Sequence, residues 1–401
     1  MNRSVILEQA KQNDSFYIYE EAHILQQIEM LQEAFPTLEI LYSMKTNPNP
    51  FVVKTIFNQR IGVDAASKRE AEIAKEHGVE KRKIQFSSPG KTDSDIESTI
   101  SFATLIADSL GEVYRIQEIA RKKGMTVDIG VRLNPNFTYT TDEGIPSKFG
   151  IDEDLFFAEI TALESLSNIS IVGLHVHIYS QELNTSYLKN YHKNVLALAK
   201  KMQGAIKNKL EFINLGSGIG IPYAKTDTPV DVDALGKSTT ELIAKFHETF
   251  PAVKMYIETG RFLVGQSGTY ATKVIDKKIS HGKTFVLLHN TLNGFVRPAF
   301  ASMLESYATP PILEPFYTCK NAFSYVVLND ETEMEMVTLG GNLCTGLDII
   351  ERDISLPRLS CGDVVAITNA GSYAAVISPM QFSSQVKPKE LFLAIDGTVF
   401  E

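Results

Sequence analysis

A parallel (β/α)8 barrel followed by a smaller, mainly antiparallel β domain is the fold class that the sequence predicts, and three observations predict it. Eight short β-rich runs recur between about residues 24 and 260, separated by stretches with apolar residues at helical spacing. Beyond Arg261 long helical patterns are scarce, and β-runs punctuated by turns such as His281-Gly-Lys and Asn329-Asp take over. The chain has 401 residues, too many for one compact core, so a large and a small unit are expected. The barrel is assigned to 24–265, and residues 1–23 with 266–401 to the β domain.

The barrel runs lie near 38–44, 61–67, 83–88, 103–109, 127–134, 169–178, 210–216 and 254–260. Amphipathic stretches such as 68–76 and 187–202 fall between them, and an unbroken β-α series of this length suggests a closed barrel over an open sheet. Chemistry in such barrels gathers at the C-terminal strand ends, here Lys45, Ser67, Pro89, Asp108, Asn134, His177, Gly216 and Glu258. In the second unit, strands are predicted at 268–277, 284–288, 322–328, 335–339 and 363–368.

Composition narrows the function classes. Apolar content of 44% and charged content of 22% are those of an ordinary soluble globular protein. A net charge of -9 argues against nucleic acid or an anionic membrane as the main partner. Cys319, Cys344 and Cys361 have neither close-pair nor metal-ligand spacing, so no disulfide framework is expected. No run approaches membrane-spanning length, and an acid at Glu8 is too early for a signal peptide, so a cytoplasmic location is expected.

Lys45 sits where an apolar run, Glu39-Ile-Leu-Tyr42, is forced to turn by Pro48 and Pro50. A lysine there either snorkels to water or is desolvated, loses its proton easily and forms a Schiff base. Asn214-Leu-Gly-Ser-Gly-Ile-Gly-Ile-Pro222 follows the seventh run, the corner where barrels commonly hold phosphate, and is either a phosphate cradle or a plain tight turn. In Glu258-Thr-Gly-Arg261 the glutamate could accept from a protonated ring nitrogen and the arginine could meet phosphate; an ordinary ion pair is the alternative. His175 and His177 share a strand face. They are either metal ligands, or one core histidine and one ring stacked on a cofactor; no further ligand set is evident, so no metal is expected. Cys344 and Tyr373, taken alone, read as packing residues.

Taken together, these pieces resemble the fold-type-III, pyridoxal 5'-phosphate-dependent decarboxylases, the family of diaminopimelate and ornithine decarboxylases, whose fold alanine racemase shares. Tyr42-Ser-Met-Lys-Thr-Asn is similar to the family's Schiff-base lysine motif, and Gly62-Val-Asp-Ala-Ala-Ser-Lys-Arg-Glu70 to its second-strand motif. Ser88-Pro-Gly-Lys91, Val131-Arg-Leu-Asn-Pro135, Ser147-Lys-Phe-Gly150, His177-Ile-Tyr-Ser180, the glycine loop, Glu258–Arg261, the Cys344 motif and Tyr373 match in turn. The resemblance implies that Lys45 holds the cofactor covalently, that His177 stacks on its ring and that Glu258 pairs with its ring nitrogen. It implies that Gly216, Ser217, Gly218, Ser180, Gly260, Arg261 and Tyr373 hold the cofactor, chiefly its phosphate, with Asp64 and Arg132 in support. It further implies a head-to-tail homodimer, with Cys344 reaching the partner's site to help protonation and Asp348 nearby. Arg297, in Val296-Arg-Pro-Ala-Phe300, would suit a distal carboxylate of the substrate; a surface arginine is the alternative.

Tyr179 and Ser217 stand where the family usually has glycine, Thr259 where it has proline, and His289-Asn-Thr-Leu-Asn293 replaces an Asp-Ala-Gly or Asp-Gly-Gly pattern. The ending after Tyr373 looks closest to decarboxylases of siderophore and antibiotic pathways, which act on an amino acid joined to citrate or to a carrier protein. A decarboxylase of a free amino acid, a racemase on the same fold and a non-catalytic cofactor-binding regulator are the competing readings. Specificity is expected in loops 136–150, 289–316 and 378–385.

Overall fold

The computed structural model describes residues 1–305, 315–317 and 321–401; Cys319 and part of the 289–316 loop lie outside the described residues. Eight parallel strands close a barrel: Glu39–Ser43, Gly62–Ala65, Ile84–Phe86, Thr104–Ala107, Val127–Asn134, Ile169–His175, Phe212–Asn214 and Lys254–Thr259. Each pairs with the next, and the last returns to the first with Ile257 opposite Ile40. All eight β-runs of the sequence are thus strands of one barrel, several of them shorter than their apolar runs.

The barrel interior is filled by volume matching. Leu41, Ile106, Val172, Phe212 and Tyr256 form a buried cluster inside it. A Cβ on Gly173 would stand 1.9 Å from Phe212 Cζ, and one on Gly130 would stand 2.8 Å from it. Glycines on two neighbouring strands therefore make the space for one phenyl ring, which is how an interior of mixed side chains reaches crystal-like density. The outer helices start where the sequence supplies caps. Asn49 accepts from the amides of Phe51 and Val52, with Pro50 in the first turn, and Ser67 accepts from the amide of Glu70.

In the second unit, strand Ser15–Glu20 lies between Gly268–Ser280, antiparallel, and Lys389–Leu393, parallel. The 13-residue strand Gly268–Ser280 also pairs with Lys283–Leu288 and Val364–Ile367, shifting register between Val274 and Asp276. Among the described residues the sheet is antiparallel apart from two parallel pairings, the second joining Lys283–Leu288 to Met334–Gly341. The strand Ile349–Pro357 and the helix Val296–Leu304 were not foreseen; each carries charged residues or a proline that mask its pattern. Among the described residues no helix is long and apolar enough to cross a membrane.

The two units meet at the turn that follows the first barrel strand. Tyr373 N donates to Thr46 O at 3.0 Å, and Asn47 Nδ2 donates to Gly371 O at 2.9 Å. Phe51, one turn further on, stacks against Phe392 and Phe400. The residues that follow Lys45 are therefore clasped to the β domain.

Candidate active site

Lys45 occupies a single 3-10 turn, Met44–Thr46. Thr46 Oγ1 donates to Ser43 O at 2.8 Å and Tyr42 Oη donates to Asn47 O at 2.7 Å, so the turn is fixed from both ends. Its ammonium lies 3.3 Å from Asp64 Oδ2, with the side chain 44% exposed to a cavity. Asp64 is buried and also accepts from the hydroxyls of Ser43 and Ser87. The desolvated, easily deprotonated lysine considered from sequence is not what forms. Burial alone would lower the Lys45 pKa, but Asp64, then Tyr373 and Glu258, outweigh it and raise it above the usual lysine value.

Glu258 ends the eighth barrel strand and is 5% exposed. One carboxylate oxygen lies 3.0 Å from His175 Nε2 and accepts from Asn214 Nδ2 at 3.2 Å; the other lies 3.3 Å from His177 Nδ1. Burial would raise this carboxyl's pKa, yet the two histidines and Lys45 outweigh it, so the group stays ionised. Burial, opposed by Glu258, pushes the His177 pKa down to about 4, leaving a neutral ring at neutral pH. His175 is the core histidine, and His177 faces the cavity.

The glycine loop is built for close approach. Gly216 and Gly218 have φ of 63° and 71°, and a Cβ on Gly218 would stand 1.9 Å from Tyr139 Oη and 2.7 Å from Tyr179 O. Gln181, itself at positive φ, pins the loop: its amide nitrogen donates to Ile221 O and its amide oxygen accepts from Ile221 N. Facing the loop, Arg261 donates to Tyr223 Oη and, at 2.9 Å, to Pro315 O. Its guanidinium sits 4.6 Å from the Tyr317 ring centre and 4.9 Å from that of Tyr373. Its buried Nε has no hydrogen-bond partner among the described residues, leaving a fixed donor for an anion.

One cavity of about 390 Å³ gathers most of the expected residues: Lys45, Arg132, His177, Ser180, Ser217, Gly218, Glu258, Gly260, Arg261 and Tyr373 all line it. Asp64 lies beneath Lys45, and Gly216 packs against His177, where a Cβ would come within 3.0 Å of the ring nitrogen. Arg132 donates to His177 O at 3.1 Å and approaches Asp108 at 3.8 Å. Five strand-end residues do not line it: Ser67 is a helix cap, Asn134 donates to Ile145 O and Asp152, Asp108 lies behind Arg132, Gly216 behind His177, and Pro89 lies outside the wall, which Ser87 lines. Lys148, Phe149 and Gln181 line it without having been singled out, although Lys148 and Phe149 lie in a quoted motif, and Thr259, noted as a departure from the family pattern, lines it too.

Arg297 and Asp348 lie off this wall. Arg297 is fully buried; it donates from Nε to Phe316 O at 2.9 Å and from one terminal nitrogen to the carbonyls of Asn369 and Ser372, each at 3.3 Å. It lies over Tyr223 of the barrel and Phe323 of the β domain rather than on the cavity wall, and so packs the junction of the two units. Asp348, 3% exposed, accepts from Thr291 Oγ1, Leu292 N and Leu343 N. It ties the Cys344 loop to the 289–293 segment and has no wall position. Cys344 is exposed on that loop, outside the cavity of its own chain.

A flat pyridine ring with a phosphate fits this wall. A lysine amine, a neutral imidazole, an ionised carboxylate and a donor-rich glycine loop facing an arginine are its four complements. Relatives agree. Residues 21–265 match the model of the pyridoxal-dependent decarboxylase, pyridoxal-binding domain. The chain is 29% identical over 392 residues to an L-glutamyl acyl-carrier-protein decarboxylase of Niallia circulans, covering 94% of this chain and 88% of that one. It is 29% identical over 390 residues to a 2-((L-alanin-3-ylcarbamoyl)methyl)-2-hydroxybutanedioate decarboxylase of Staphylococcus aureus, covering 94% and 93%. The solved diaminopimelate decarboxylase of M. jannaschii in complex with L-lysine superposes with a TM-score of 0.84 at 26% identity, covering 99% and 90%. The chain belongs to the pyridoxal-dependent decarboxylases, carboxy-lyases that work with pyridoxal 5'-phosphate.

Proposed function

We propose that this enzyme removes the α-carboxylate of an amino acid that is part of a larger conjugate, linked to citrate or to a carrier protein. The observation that carries the decarboxylase assignment is the meeting of Lys45, His177 and Glu258 on one wall. Support for a conjugate comes from the two relatives named above, one acting on a carrier-bound glutamyl group and the other on an amide of a hydroxy acid. Diaminopimelate decarboxylases match at 26–28% identity and support a free diamino acid as the second reading.

Bound at this wall, the cofactor supplies a sink for the electron pair left behind as CO2 departs. Lys45 is the point of covalent attachment, and Asp64 orients its amine. Glu258, kept ionised, would hold a proton on the cofactor's ring nitrogen, and the neutral His177 ring would stack on it. The backbone and hydroxyls of Gly216, Ser217, Gly218, Ser180 and Tyr373, with Gly260 and Arg261, hold the phosphate, and Arg132 braces the segment at His177. Cys344 delivers a proton to the α-carbon in the site of a partner subunit, in a head-to-tail homodimer; its exposure on a loop anchored by Asp348 supports that reading.

The test is an absorbance spectrum before and after borohydride, with Lys45→Ala in parallel, followed by assay of CO2 release from free amino acids and from citrate- and carrier-linked conjugates. A visible band that reduction bleaches and the variant lacks is expected. A protein that takes up no pyridoxal 5'-phosphate would end the decarboxylase assignment.

A further inference from the structure

Behind the cavity wall, one side chain connects the glycine loop to Glu258. Asn214 ends the seventh barrel strand, is fully buried and uses both ends of its amide. Its Oδ1 accepts from Gly216 N at 2.9 Å. Its Nδ2 donates to Glu258 Oε2 at 3.2 Å and to Gln85 Oε1 at 2.8 Å. The neighbours force this orientation of the amide. A backbone N–H can only donate and an ionised carboxylate can only accept, so oxygen must face Gly216 and nitrogen must face Glu258.

The consequence is a fixed spacing. Glu258 Oε2 receives Asn214 and lies 3.0 Å from His175 Nε2, so the other oxygen, beside His177, is the one turned to the cavity. Gly216, held in its left-handed conformation, is tied to the same residue a second time, because Glu258 N donates to Gly216 O at 2.9 Å. Gln85 extends the tie to a third strand. It lies in Ile84–Phe86, and Ser87, just past that strand, donates to Asp64 beneath Lys45. One amide therefore joins the start of the glycine loop to a carboxylate 44 residues further along. The cofactor's phosphate hangs from its ring by a short arm, so a wall already spaced to match both ends binds it at less ordering cost.

We propose that Asn214 is a positioning residue that couples the two grips on the cofactor, holding the phosphate loop at Gly216 and the ring-nitrogen carboxylate of Glu258 at one spacing. This rests on the reading of the glycine loop as the phosphate cradle and of Glu258 as the partner of the ring nitrogen. It adds the residue that makes the two a unit.

The test measures equilibrium binding of three probes by absorbance. They are pyridoxal 5'-phosphate, pyridoxal, which lacks the phosphate, and a 1-deaza analogue of pyridoxal 5'-phosphate, in which carbon replaces the ring nitrogen. Wild type should prefer pyridoxal 5'-phosphate to both others, and each preference reads one grip. Asn214→Ala removes both hydrogen bonds and should cut each preference about tenfold. Asn214→Asp keeps an acceptor for Gly216 N but sets a second carboxyl against Glu258, and the two must then share a proton. It should cut the nitrogen preference about tenfold and hold the phosphate preference within about twofold. Being the same size, it also decides the matter if Asn214→Ala does not fold. Asn214→Ala binding all three probes as wild type does would overturn the proposal. So would a loss by one common factor, because a merely structural role weakens every probe alike, and so would an unchanged nitrogen preference in Asn214→Asp. If wild type itself binds the deaza analogue as well as pyridoxal 5'-phosphate, the reading of Glu258 fails instead, and the phosphate preference of Asn214→Ala still decides whether Asn214 sets the loop.

Discussion

The barrel has two mouths, and the larger hollow is not the reactive one. At the N-terminal end a hollow of about 740 Å³ is lined by Glu80, Lys81, Arg82, Asp128, Glu211 and Lys254 among others. Charges around that end cancel as neighbours: Glu39 pairs with Lys83 at 3.0 Å and with Lys254 at 3.5 Å, and Glu80 with Arg82 at 3.1 Å. At the C-terminal end the hollow is about half the size, yet one buried carboxylate is shared by two histidines, and a guanidinium is packed among tyrosines. Size therefore does not locate chemistry. What marks the site is charge taken out of water and held in one geometry, at a desolvation cost that pairing only partly offsets.

The contrast can be broken at Glu258. Glu258→Gln should lower turnover about a hundredfold or more while the cofactor remains attached through Lys45, read by CO2 release and by the retained visible band. Intact turnover in that variant would mean that the buried carboxylate is only structural. Acid unfolding sharpens the contrast further. His177 titrates near 4 in the fold against 6.5 ordinarily, so between those values the unfolded chain binds a proton that the fold rejects. Stability should fall as pH is lowered through that window, and His177→Asn should flatten the profile of unfolding free energy against pH there by about 2 kcal/mol. At the other mouth, burial would raise the Glu39 pKa, but Lys83 and Lys254 outweigh it and hold it below 4.5. Its contribution is present above that value and is lost only as pH falls further. Glu39→Gln should accordingly cost about 1 kcal/mol or less at neutral pH and leave kcat/KM unchanged.

Local grammar made much of this legible. The Lys45 turn is encoded by two prolines after a short apolar run, and the glycine loop by its spacing. Both can be read without knowing what packs against them. Glu258 was legible as a strand-end acid, but its sharing between His175 and His177 depends on two strands that meet only when the barrel closes. Arg297 shows the limit. Its partners, Phe316 O, Asn369 O and Ser372 O, lie 19 to 75 residues away, so nothing near it in sequence distinguishes a packing arginine from a binding one. Ile349–Pro357 escaped notice for a related reason: Glu351, Arg352 and Asp353 interrupt its alternation, and it forms the last strand on one side of the sheet, where charge is tolerated. The parallel pairing of Lys283–Leu288 with Met334–Gly341 joins segments some fifty residues apart in a register that no local pattern announces.

The clasp around Lys45 has a mechanical meaning. Thr46 and Asn47, the two residues after the lysine, are hydrogen-bonded to Tyr373 and Gly371 across the junction of barrel and β domain. The chain cannot open like a jaw along that junction without releasing the lysine's own turn. The lysine's placement and the union of the two domains thereby become one property, gained and lost together.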